Sequence, residues 1–109
     1  MTALRILHWN TQKSKKAQIP AVDAISEEYD VLAIQEPWRN PHMPTTYCPR
    51  SSPYYLLYAA EGGRACIYIN KKHPPAQWTY KAQSDRCNIT IQLPDGPITV
   101  ICVYSPPPG

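Results

Sequence analysis

Asp30-Val31-Leu32-Ala33-Ile34-Gln35-Glu36-Pro37-Trp38 is the stretch on which the fold turns. Four of the five residues from Val31 to Gln35 are apolar without alternation, the pattern of a short strand buried on both faces. Glu36 then delivers a carboxylate at the strand's end, and Pro37 stops the ladder because it has no N–H to donate. In α/β sheets, ligands bind at the carboxyl ends of strands. Two further predicted strands, Ile6–Asn10 and Ile98–Tyr104, also end on hydrogen-bonding residues. If the three ends converge, Asn10, Glu36 and Tyr104 form one site.

The 109 residues suffice for one small domain, and 43% apolar against 17% charged residues permits a core and argues against disorder. The 13 prolines cluster in loops and near the C-terminus. The net charge is +3, and most basic residues sit in two short groups, Lys13/Lys15/Lys16 and Lys71/Lys72/His73, or scattered elsewhere, as Arg39, Arg50, Arg64, Lys81 and Arg86 are. Such a distribution suits a polyanionic partner and a solvated surface equally well. Cys48, Cys66, Cys87 and Cys102 form no C-x-x-C pair, which argues against zinc. Three of them fall in or beside predicted strands, where a free thiol acts as a small hydrophobe. With no secretory segment at the start, the expected compartment is reducing and intracellular. No run approaches the ~18 apolar residues of a membrane span.

Along the chain, Leu4–Trp9 reads as the first strand, with His8 packed or hydrogen-bonded inside it. A polar, basic loop follows from Asn10 through Lys16, and a helix is expected from Pro20, tolerated in a first turn. Ala21, Val22, Ala24 and Ile25 supply its apolar stripe, and Glu27-Glu28 close it against the macrodipole. Strand, helix and the strand at Val31 make a βαβ-like opening. Arg39 to Pro53 is a proline-rich loop. Tyr54–Ala59 and Arg64–Asn70 read as strands joined by a turn at Glu61-Gly62-Gly63, and Lys71–Pro75 breaks the second. Cys87, Ile89, Ile91 and Leu93 alternate with polar residues, and Pro94-Asp95-Gly96 turns the chain back into Ile98–Tyr104, a hairpin. The expected fold is α/β, with about six strands in a mixed or antiparallel sheet and one main helix. Only one face of that sheet is covered, so the chain reads as an incomplete domain.

From spacing alone, each candidate has an ordinary explanation: Glu36 a solvated loop residue, Asn10 a turn former, Tyr104 a core aromatic. The chemical alternative is a hard cation. Mg²⁺ takes oxygen ligands, uses only one or two carboxylates and keeps its waters. No His lies at a useful spacing from a Cys or Ser, so a nucleophilic dyad has no support. Gly62-Gly63 is too short to cradle phosphate and suits a hairpin turn better. Trp38, Tyr47 and Trp78 could stack on bases, but isolated aromatics are more often anchors.

Four segments together resemble the endonuclease/exonuclease/phosphatase superfamily in order and approximate spacing. They are L-R-I-L-H-W-N (Leu4–Asn10), V-L-A-I-Q-E-P (Val31–Pro37), G-G-R-A-C-I-Y-I (Gly62–Ile69) and I-T-V-I-C-V-Y-S-P-P (Ile98–Pro107). More narrowly, Q-E-P-W with V-Y-S-P-P is similar to the endonuclease domain of non-LTR retrotransposons, especially of fungal type. The resemblance implies the N-terminal half of a four-layered α/β sandwich, spanning residues 1–109, that cleaves phosphodiesters of DNA with Mg²⁺ or Mn²⁺. By motif, Glu36 would be a metal ligand, Asn10 would sit beside metal and substrate, and Tyr104 would contact the scissile phosphate. Gln12 stands where some relatives carry an acidic residue, which suits retrotransposon-like members better than abasic-site repair enzymes.

The family's Asp-x-Asn pair and its Ser-Asp-His region have no counterpart here; Asp85 and Asp95 do not replace them by motif. Hence the expected fragment is a hydrolase by lineage and weakly active or inactive alone. Its implied partners are DNA and, in a full-length relative, a reverse transcriptase domain, with the nucleus as the place of work. The alternative is a degenerate remnant or a nucleic-acid-binding module without catalysis. A relative acting on phospholipid or small phosphoesters fits the motif combination less well.

Overall fold

The expected strand forms as β2 (Val31–Gln35), in an interior position of a four-stranded sheet. The computed structural model describes residues 4–23 and 29–105. Among these, β1 (Ile6–Asn10), β3 (Tyr54–Leu57) and β4 (Ala65–Asn70) join β2 in the order β1-β2-β4-β3. β1 runs parallel to β2, pairing Ile6 with Val31 and Asn10 with Gln35, and β4 runs antiparallel, pairing Gln35 with Ala65. A second, antiparallel sheet contains β5 (Trp78–Ala82), β6 (Arg86–Leu93) and β7 (Gly96–Val103). The described chain is therefore mixed α/β, mostly strand, with one short helix, α1 (Lys15–Asp23).

Alternation sorts the core into two layers. Val31, Ala33, Ile67 and Ile69 meet Cys87, Ile89, Ile91 and Cys102 between the sheets. On the opposite face Leu32, Ile34, Tyr54, Cys66 and Tyr68 pack with Val22 of α1. Val31 to Ile34 and all of β4 are buried, as a strand covered on both faces must be. Each large aliphatic so buried contributes about 1.5–3 kcal/mol from removed apolar surface.

Several expectations change. The first sheet has both faces covered, because the hairpin folds over as a separate sheet instead of extending it. Seven strands form among the described residues. The additional one, β5, alternates Trp78, Tyr80 and Ala82 with Thr79 and Lys81, and it pairs Trp78 with Ile91. β1 spans Ile6–Asn10, with the later start and the Asn10 end of the two expected ranges, and His8 is exposed instead of packed. The helix starts five residues before Pro20. Ser14 caps it, its Oγ accepting from the Ala17 N–H at 3.2 Å, while Pro20 lies inside and deprives the helix of one N–H donor. Ala24, Ile25, Glu27 and Glu28 lie outside the described residues, as do Pro106 to Gly109. No described helix is long and apolar enough to cross a membrane.

The N-terminal end of β2 is held by Asp30. One of its carboxylate oxygens accepts from the Arg5 N–H at 2.8 Å; the other receives Lys72 Nζ and His73 Nε2, each at 2.8 Å. Its N–H donates to Arg5 O at 2.8 Å and its C=O accepts from Asn70 N–H at 2.8 Å, tying β1, β2 and β4 together. Desolvation pushes the Asp30 pKa up. The hydrogen bonds from Lys72, the Arg5 N–H and His73 outweigh it and hold the carboxyl below its ordinary 3.8.

Candidate functional site

At the opposite end of β2 the backbone leaves the ladder at Glu36, whose φ of 49° is left-handed and costly for a residue with a Cβ. The surroundings over-determine it. The Glu36 N–H donates to Arg64 O at 2.8 Å; its C=O accepts the Lys13 N–H at 2.7 Å and the Thr11 hydroxyl at 2.9 Å. The loop after β1 is thus strapped onto the end of β2. Gln12 and Lys13 are left-handed too, at φ of 52° and 62°. The Gln12 N–H donates to Asn10 Oδ1 at 2.9 Å in a local side-chain turn, so the donor end of the Asn10 side chain is its Nδ2.

Asn10, Glu36 and Tyr104 line one cavity of about 450 Å³ together with Gln35 and Ser105. The amide of Gln35 donates to Val103 O and thereby ties the end of β2 to the end of β7. A second cavity of about 300 Å³ shares Glu36 and Tyr104 and adds Lys13, Arg39, Gly63 and Arg64. These cations carry signal in the sequence only as members of scattered basic groups. Arg64 stands beside Glu36 because the pairing of Gln35 with Ala65 fixes the register. Its guanidinium lies 5.7 Å from the Tyr104 ring centroid and 3.8 Å from the exposed Asp85 carboxylate, a long and weak ion pair.

The loop beyond Glu36 is anchored by Gln18, whose side chain is fully buried. Gln18 Oε1 accepts the Trp38 N–H at 2.7 Å, and its Nε2 donates to Thr46 Oγ1 at 2.9 Å and Tyr68 Oη at 2.6 Å. Lys15 Nζ sits 4.5 Å from the Trp38 ring centroid. One amide thus secures Trp38, two residues past Glu36, to the helix. Trp78 serves as an anchor elsewhere, its Nε1 donating to His73 O at 2.9 Å.

Burial raises the thiols, Cys87 to about 12 and Cys102 to about 11, and it pushes Cys66 well above its ordinary value too. At neutral pH these are protonated core groups, not nucleophiles. Among the described residues no three His, Cys, Asp or Glu side chains cluster as metal ligands. Among the described residues, Glu36 alone provides a hard anionic oxygen at the cavity. That donor set fits one face of a Mg²⁺ site whose other ligands are water and substrate, and does not fit an all-protein cage.

Fold and site together define a two-sheet α/β protein with two adjoining polar cavities at converging strand ends, walled among the described residues by one carboxylate, two amides, one phenol and three cations. Comparison with family models, with curated proteins and with solved structures finds no match.

Proposed function

We propose that the chain carries part of a metal-dependent phosphodiesterase site, that of a DNA endonuclease of retrotransposon type, built on the N-terminal half of a four-layered α/β sandwich. One observation carries the reading: Asn10, Glu36 and Tyr104, named from motifs far apart in sequence, line a single cavity. The half-domain part rests on exposed apolar surface at the sheet margins. Ile6 and Trp9 on β1 are 43% and 38% exposed, and Ile98 on β7 is 41% exposed. Further strands would cover them.

In this reading Glu36, with Asn10 beside it, holds Mg²⁺ or Mn²⁺. The bound ion would polarise the phosphoryl oxygen and stabilise charge developing on the leaving oxygen. The chain's own residues position the phosphate. Asn10 Nδ2 and the Tyr104 hydroxyl donate hydrogen bonds to its oxygens, and the neighbouring cations offset its charge. No second carboxylate in the described cavity serves as general base, so cleavage by this chain alone is expected to be weak or absent.

Titration with Mn²⁺ followed by amide NMR tests the site. Broadening should centre on Asn10, Glu36 and Tyr104 and disappear in Glu36→Gln; broadening that persists in that variant would refute the metal site. Plasmid nicking by the wild-type chain in Mg²⁺ should stay near background. Robust nicking abolished by Glu36→Ala would overturn the expected inactivity while supporting the site. The cationic wall favours a second reading, a nucleic-acid-binding module without catalysis. That reading predicts salt-sensitive DNA binding with no localised Mn²⁺ effect.

A further inference from the structure

The cavity walled by Lys13, Arg39 and Arg64 is set apart from its neighbour by charge. Three cations face one carboxylate there, whereas the adjoining cavity adds only the neutral Asn10, Gln35 and Ser105 to Glu36 and Tyr104. Among the described residues neither Lys13 nor Arg39 forms an ion pair, and Arg64 has only its long contact to Asp85. Cations that outnumber the carboxylates in a concavity raise its local potential and favour an anion.

Arg39 reaches the cavity beside the glycine turn. Gly62 has a φ of +100°, and a Cβ built there would come within 3.0 Å of an Arg39 terminal guanidinium nitrogen. A Cβ at Gly63 would meet Ala65 O at 3.1 Å and the Tyr58 ring at 3.3 Å. The guanidinium of Arg39 thus lies close to Gly62, while Gly63 packs against the Ala65 carbonyl and the Tyr58 ring. The Lys13 backbone is held by its own N–H on Glu36 O.

We propose that Lys13, Arg39 and Arg64 form an oxyanion subsite that takes the phosphate next to the one lying over Asn10 and Tyr104, and does so without metal. It deepens the proposed function by giving the ligand class: an oligonucleotide with consecutive phosphodiesters, not an isolated phosphate ester. The two cavities share the wall of Glu36 and Tyr104, so a ligand with two successive phosphates can occupy both while a single phosphate fills one. Guanidinium groups suit this role because they offer paired donors to phosphate oxygens.

Titrations of the full chain in EDTA, read by amide NMR, compare the thymidine dinucleotide TpT with the trinucleotide TpTpT. TpTpT should bind at least about tenfold more tightly at low salt, and the advantage should shrink as salt rises. In the double variant Arg39→Gln/Arg64→Gln, confirmed folded by circular dichroism, the preference should fall to about twofold or less. Glu36→Gln separates this proposal from the metal site: it should abolish the Mn²⁺ effect yet tighten TpTpT binding, because it removes the one carboxylate among the described residues of the wall. Equal affinity for TpT and TpTpT, or a preference unchanged in the double variant, would overturn the subsite even if Mn²⁺ still binds at Glu36. Inositol 1,4-bisphosphate binding as tightly as TpTpT would overturn the nucleic-acid assignment.

Discussion

Asp30→Ala is expected to destabilise the fold by about 3 kcal/mol, since removing one partner of a buried charge cluster leaves the others unsatisfied. Asp30 is 5% exposed and His73 8% exposed, and both depend on this contact. The Arg5 N–H also loses its acceptor, so β1 loosens from β2 at its first pairs. Urea unfolding at neutral pH measures the cost; a loss under about 0.5 kcal/mol, the size of an ordinary surface change, would refute the clamp. The same carboxylate sets a pH dependence. Its pKa is lower in the folded chain than the ordinary 3.8, so the folded state binds the proton less tightly than the unfolded state does. The stabilisation is complete above about pH 4 and drains away as pH falls through the folded value. Asp30→Ala should flatten that acid limb, and an unchanged limb would place the titration elsewhere.

Gln18→Leu is expected to cost about 2–3 kcal/mol, because a similar volume is kept while buried donors and acceptors lose their partners. The Trp38 N–H would lose its acceptor, and Thr46 Oγ1 and Tyr68 Oη would lose a donor. Tyr68 keeps its bond to Tyr47 O, so the core side of the loop should survive better than the side next to Glu36. Hydrogen exchange at the Trp38 amide should accelerate with the loss of stability and exceed it, since this N–H becomes locally unprotected. If Gln18→Leu leaves both stability and Trp38 exchange unchanged, the loop is held by other contacts. The variant also bears on the site. Pro37 and Trp38 follow the left-handed Glu36 directly, and freeing them lets that strained residue relax.

How far the fold was legible depended on how local its signal is. The hairpin of β6 and β7 follows from period-two alternation and a Pro-Asp-Gly turn, and the structure pairs Cys87 with Cys102 and Leu93 with Gly96. β5 has no clear local signal because Lys71–Pro75 reads as a stop, although a short 3-10 turn at Pro75–Gln77 carries the chain into a new edge strand. The helix start was misplaced because proline at position 20 outweighed a quieter signal, the N-cap serine at position 14. The unpaired face expected for β2 also disappears, since nothing in the local pattern says whether a hairpin extends a sheet or folds over it.

By itself the sequence determined that residues 31–35 form a strand buried on both faces and that its end presents a carboxylate. Apolar runs and a terminating proline act over a few residues and leave little choice. Tertiary structure alone decided what surrounds that carboxylate. Parallel pairing with β1 brings Asn10 alongside, antiparallel pairing with β4 delivers Arg64, and the tie from Gln35 to Val103 brings Tyr104. Lys13 sits in a left-handed turn, and Arg39 lies close to Gly62. Charges on separate loops carry no information about their mutual distance until register and turn geometry set it, and that distance makes an anion-attracting cavity out of scattered surface cations.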